Sequence, residues 1–173
     1  MHAKHYDRFS VLLHWAMALL ILLQIAIGLW MVDLPKDDNG IRANWFNVHK
    51  SIGIVLLLLI CLRVAWLPWR SRVVPATAGL MHLAARASHA MLYLLMVVAP
   101  LSGFLGSVYS KFPIRFFDIR LPRLAQPWDT AKELFSVVHL VSTYALIAMV
   151  VLHLLAFAYH QFVLKDHLIM RMR

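Results

Sequence analysis

Residues 134–164 read LFSVVHLVSTYALIAMVVLHLLAFAYHQFVL, without a charged residue. A helix needs roughly 20 apolar residues to cross the hydrocarbon core of a bilayer. This run exceeds that, so the span is predicted at about 134–160, with the end emerging into the headgroups or lying along them. It contains His139, His153 and His160, and the first two stand 14 residues apart. At about 100° per residue this spacing is close to four turns, which leaves both rings within roughly 40° on one face and about 21 Å apart along the axis. One membrane helix thus carries two imidazoles on a common face, one in each leaflet.

Three more spans lie upstream. Phe9–Val32 is uncharged, Trp45–Leu67 holds Lys50 near one end and Arg63 near the other, and the third runs from about Ala87 to Tyr109. The whole chain, residues 1–173, reads as a single integral-membrane domain with spans at about 9–32, 45–67, 87–109 and 134–160, an all-α four-helix transmembrane bundle. Composition agrees: 62% of residues are hydrophobic, 14% are charged, and the mean hydropathy is +0.72, where an average soluble domain is about a quarter charged. The start, MHAKHYDRFS, lacks the features of a cleaved signal peptide, so the first span is expected to be retained.

The linkers carry the turn residues and the charge. Asp33–Asn44 holds Pro35 and Gly40, Pro68–Arg86 holds Pro75 and Gly79, and Ser110–Glu133 holds Pro113, Pro122 and Pro127. Within the last, Ile114–Leu124 is predicted as a short amphipathic piece on the membrane surface. The net charge of +9 sits between apolar runs, which suits bilayer orientation and anionic lipid rather than nucleic acid. Four spans put both termini on one side, which has nine lysines and arginines against eight on the other, and net charges of +7 and +2. That bias places the termini in the cytoplasm. The single cysteine, Cys61, allows no internal disulfide and no cysteine-based metal cluster.

Ten histidines in such a chain ask for a reason, because an ionisable residue within a span is a functional candidate. Alternating span directions assign each a depth. His14 and His153 fall toward the cytoplasm, and His49 and His139 toward the periplasm. His89 opens the third span on the cytoplasmic side. One such histidine alone is served equally well by a hydrogen-bonding role between helices. Two depth-matched pairs, 14 with 153 and 49 with 139, favour imidazoles gripping two haem irons from opposite faces. Zinc fits less well, since structural zinc takes four ligands at one depth. Gly53, Gly28, Gly103 and Gly106 suit either clearance for a flat macrocycle or plain close packing of helices.

The chain resembles the bacterial cytochrome b561 family, whose fold is shared by the cytochrome b subunits of nickel–iron hydrogenases and formate dehydrogenases. The resemblance rests on Leu13-His14-Trp15, on Asn47-Val48-His49-Lys50-Ser51-Ile52-Gly53 with Arg63 14 residues after His49, and on His89 through Tyr93 with Pro100-Leu101-Ser102-Gly103. It continues through His139, His153, His160 and the tail Lys165-Asp166-His167-Leu168-Ile169-Met170-Arg171-Met172. It implies a bundle enclosing two b-type haems, with the fourth helix supplying two axial ligands and the first and second one each. It also implies electron transfer between a periplasmic donor and a membrane quinone in the bacterial inner membrane. A stand-alone member of this length implies superoxide as donor and ubiquinone as acceptor. The alternative is a membrane-anchor subunit that only carries electrons for a larger dehydrogenase or hydrogenase, and a third reading is a non-redox membrane protein whose histidines are structural or bind metal.

Further residues take expected roles beside the four ligands. Arg63 suits the propionates of the cytoplasmic haem, or snorkels to the headgroups. Lys50 is its periplasmic counterpart. His160 is a candidate for bonding and protonating a quinone, with His89 as its rival there or as a ligand. Lys111 and Arg115, with Arg120, Arg123 and Lys132, form a basic loop that either draws in an anion such as superoxide or rests on anionic lipid. His2, His5, His82 and His167 read as peripheral.

Overall fold

An aspartate opens the first helix of the computed structural model, which describes residues 6–36, 40–69, 79–166 and 169–170. His2, His5, His167, Lys4, Arg70, Arg72, Pro75, Leu168, Arg171, Met172 and Arg173 lie outside those residues. Asp7 accepts from the Ser10 backbone N–H at 2.9 Å and from the Ser10 hydroxyl at 2.8 Å, satisfying donors that a helix start leaves bare. Helix α1 then runs Arg8–Met31, α2 Ile41–Ala65 and α3 Gly79–Val108. A hairpin follows, β1 Arg115–Phe116 against β2 Ile119–Arg120. Helix α4 covers Asp129–Ala158 and passes into a π-helix, Tyr159–Leu164. The four long helices are each apolar enough to cross a membrane.

The helices are apolar on more than one face. Leu12, Leu19, Leu58 and Leu155 all point outward, which a protein surrounded by lipid tolerates and one surrounded by water does not. Aromatic residues gather at both ends of the bundle. Trp30 meets Trp45 edge-on at 4.9 Å, and Tyr109 meets Trp128 at 6.0 Å, at the end with the hairpin. Phe9 meets Trp66 at 4.7 Å at the end where the chain begins. Such belts mark the two interfaces of a bilayer.

The core is divided. Ile27, Met31, Ile52 and Leu56 form one seam between α1 and α2. Leu95, Ala99 and Leu146 form another between α3 and α4. Side chains tie the ends of the first pair together. Arg42 donates from Nη1 to the carbonyls of Val32 (2.8 Å) and Leu34, meeting oxygens freed by the end of α1. Trp66 donates from Nε1 to Asp7 at 3.3 Å.

Three expectations change. Helix α3 begins at Gly79, whose φ of +60° lets the chain enter the helix abruptly. His89 is therefore nearly three turns inside α3 and does not open it. Helices α2 and α4 likewise start before Trp45 and Leu134, because the polar residues of their first turns are also helical. The predicted amphipathic surface piece at 114–124 is instead the hairpin, with Arg115 opposite Arg120 and Phe116 opposite Ile119. Pro113 and Pro122 leave too few residues between them for a stable helix. Asn47 Nδ2 donates to the Phe117 carbonyl, and the Phe117 N–H donates to Ser51 Oγ, both at 2.6 Å, so the turn is held on α2.

Candidate cofactor-binding site

Each long helix carries a pair of special residues 14 apart: His14 and Gly28 on α1, His49 and Arg63 on α2, His89 and Gly103 on α3, His139 and His153 on α4. In an up-and-down bundle this places them in two layers. The layer at the hairpin end has Gly28, His49, Gly103 and His139. The layer at the termini end has His14, Arg63, His89 and His153.

In the hairpin-end layer the His49 and His139 rings face each other across the two helix pairs, with centroids 6.2 Å apart and planes at 83°. A glycine stands behind each ring. A Cβ at Gly28 would lie 3.1 Å from His49 Cε1, and one at Gly103 would lie 3.0 Å from both His139 Cε1 and Nδ1. His139 Nδ1 is 2.7 Å from the Ala99 carbonyl. With the proton on Nδ1 donated there, the Nε2 lone pair is left as a metal ligand, the usual arrangement for a ligating histidine. His49 is held differently. Gln24 Nε2 donates to the His49 carbonyl at 2.6 Å, while His49 Nδ1 and Gln24 Oε1 are buried with no hydrogen-bond partner among the described residues.

In the termini-end layer the His14 and His153 centroids are 6.4 Å apart, and the His89 and His153 centroids 5.7 Å. With metal–imidazole bonds of about 2.0–2.1 Å and ring nitrogens roughly 1.1 Å from the ring centre, two imidazoles on opposite sides of one metal have centroids about 6.3 Å apart. The 14/153 and 49/139 separations match that value, and the 89/153 separation is shorter. His89 is also exposed, whereas His14, His49, His139 and His153 are half-buried. The residues present therefore fit two metallo-macrocycles, each held between imidazoles from opposite helix pairs.

The other predicted residues fall as follows. Arg63 is half-buried in the termini-end layer, donating from Nε to the Tyr93 hydroxyl at 3.0 Å with its guanidinium 5.6 Å from that ring's centre. Lys50 is half-buried beside His49. Gly53 backs onto Gln24, whose Nε2 would be 3.5 Å from an added Cβ, and Gly106 onto Phe135 and Ser136, a plain helix contact. Lys111 pairs with Asp129 at 3.3 Å, while Arg115 is exposed on the hairpin docked over α2. His160 is half-buried in the π-helix and bonded to Asp166, away from both histidine layers in sequence. Sequence reasoning gave no individual role to Gln24, Tyr93, Ala99 or Asp166, although Tyr93 and Asp166 stand within the stretches that carry the resemblance. Only Asp166, six residues after His160, carried a signal, because a carboxylate near an imidazole invites pairing.

A lipid-facing four-helix bundle with two layers of opposed imidazoles defines a membrane haem protein. The sequence pattern of prokaryotic cytochrome b561 matches residues 5–173, and the chain belongs to that family. It is a haem-binding, electron-transferring, multi-pass membrane cytochrome of b type. It is 30% identical to cytochrome b561 homolog 2 of Escherichia coli (strain K12), over 98% of this chain and 91% of that protein. It is 27% identical to the probable superoxide oxidase CybB of Yersinia pestis, over 99% of this chain and 97% of that protein.

Proposed function

We propose that the protein is an inner-membrane oxidoreductase that carries electrons from superoxide at its periplasmic face to a membrane quinone, ubiquinone or a close relative. The observation that carries this reading is the pair of imidazole crossings, 6.2 and 6.4 Å between centroids, one toward each end of the bundle. In this reading the hairpin end is periplasmic and both termini are cytoplasmic. The name of the Yersinia pestis relative supports superoxide as donor.

When bound, two b-type haems would supply reversible one-electron chemistry. The chain does the rest. His49 and His139 would hold the periplasmic group and His14 and His153 the cytoplasmic one. Arg63, steadied by Tyr93, and Lys50, beside His49, provide cationic partners for propionates. Arg115 and Lys111 raise the local concentration of an anion at the periplasmic face, with Arg115 the stronger contributor because Lys111 is already paired with Asp129. His160, with His89 as the second candidate, donates a hydrogen bond and a proton to a quinone carbonyl. Overall, two superoxide anions each give up one electron and leave as dioxygen, and one quinone takes both electrons and two protons to become quinol.

The test is superoxide-driven quinone reduction by the purified, haem-loaded protein. Quinol is expected at a ratio of one to two superoxide anions consumed. Superoxide decay at the uncatalysed rate with the quinone left oxidised contradicts the reading.

A further inference from the structure

Where α4 ends, the backbone departs from regularity in three ways at once. The last six helical residues, Tyr159–Leu164, have π-helix hydrogen bonding. Lys165 follows in the left-handed region with φ 55° and ψ 33°, a conformation that costs a residue with a side chain roughly 1–2 kcal/mol. Finally, the backbone N–H groups of both Lys165 and Asp166 reach the His160 carbonyl, the second at 3.3 Å. These features fold the chain back so that Asp166 Oδ2 lies 2.5 Å from His160 Nδ1. The two side chains are 15% and 29% exposed for His160 and Asp166, sheltered enough for the bond to persist and open enough to exchange protons with water. π-Helical turns and left-handed residues both concentrate at functional sites. A helix that needed only to stop would use a glycine here.

We infer that Asp166 is the positioning residue for proton delivery to the quinone: it fixes the ring of His160 and its tautomer so that Nε2 faces the substrate. The inference rests on the quinone reading proposed above and extends it to a residue that reading does not use. The carboxylate accepts the Nδ1–H bond, which turns Nε2 outward. As electrons reach the quinone from the reduced cytochrome, the Nε2–H bond breaks and an O–H bond forms on the quinone carbonyl oxygen. His160 is left neutral with its proton on Nδ1, and water at the exposed edge of the pair reprotonates it. A second cycle completes the quinol.

The experiment follows reoxidation of the full-length, haem-loaded, dithionite-reduced protein by a short-tail ubiquinone. Ferricyanide, which takes an electron without a proton, serves as the control oxidant. D166N is expected to slow the quinone reaction about tenfold or more and H160Q about a hundredfold, with the KM for quinone unchanged. D166E keeps most of the rate, and the double variant is no slower than H160Q because the pair acts as a unit. Haem content and the ferricyanide rate stay at the parent level in every variant. A slow H160Q beside a parent-like D166N overturns the positioning role while sparing the quinone site. Parent-like rates in both remove the quinone from His160. A D166N protein that loses haem, or slows equally with ferricyanide, shows a structural lock and overturns the inference.

Discussion

At Gly103 a single hydrogen atom in place of a methyl group decides whether His139 keeps its position. The ring behind it is already fixed by the Ala99 carbonyl at 2.7 Å, so it does not yield easily to a Cβ 3.0 Å from two of its atoms. Alanine is the better helix former by roughly 1 kcal/mol, but overpacking of this kind costs about 1–3 kcal/mol. G103A is therefore expected to lose the hairpin-end haem, read as a fall of about one haem per chain together with a lower Tm. G53A is the internal control, since its Cβ meets only Gln24 at an ordinary 3.5 Å, and it is expected to keep both haems. Tyr93 offers a second test at this scale. Y93F removes the hydroxyl that accepts from Arg63, and a hydrogen bond to a charged group contributes about 1.5–3 kcal/mol. A fall in thermal stability of that size with haem content kept is the expected outcome.

The hairpin is the smallest element and has the clearest mechanical role. Ser51, fully buried, accepts the Phe117 N–H at 2.6 Å two residues away from His49 on the same helix. The basic strand of Arg115 is thus fixed over the His49 layer. S51A leaves the Phe117 amide without its partner, a loss of about 1–3 kcal/mol, and hydrogen exchange at that amide is expected to accelerate while exchange in α3 and α4 does not. R115Q is expected to lower the superoxide reaction at low ionic strength and to converge on the parent at high salt, where the Debye length falls to about 3 Å at 1 M. Equal rates at low salt would remove Arg115 from steering. The long helices were legible in sequence because twenty-residue apolar runs have few other homes. The hairpin was not, because it is specified by contacts 64 to 70 residues away in the chain. The start of α3 was misplaced for a related reason: polar residues such as Arg86 suggested a linker, yet they belong to the helix, which begins at Gly79. The 14-residue register of the histidines was readable in advance. The matching glycines Gly28 and Gly103 were visible as small residues, and only the assembled helices reveal that each backs an imidazole.

On the scale of the whole molecule, the bundle is two helix pairs, each with its own apolar seam, that meet where α2 packs on α3 and where histidines face one another. A protein built this way depends on what its histidines hold. Its four candidate ligands come from three helices, α1, α2 and α4, and two of them sit on α4, so loss of either metal site is expected to loosen the junction between the pairs. The most direct test of that account is haem per chain, measured by the pyridine haemochrome assay on the purified protein and on single alanine variants at His14, His49, His139 and His153. Two haems in the parent and about one in each variant is the predicted result. One haem or none in the parent, or variants that retain both, would contradict it.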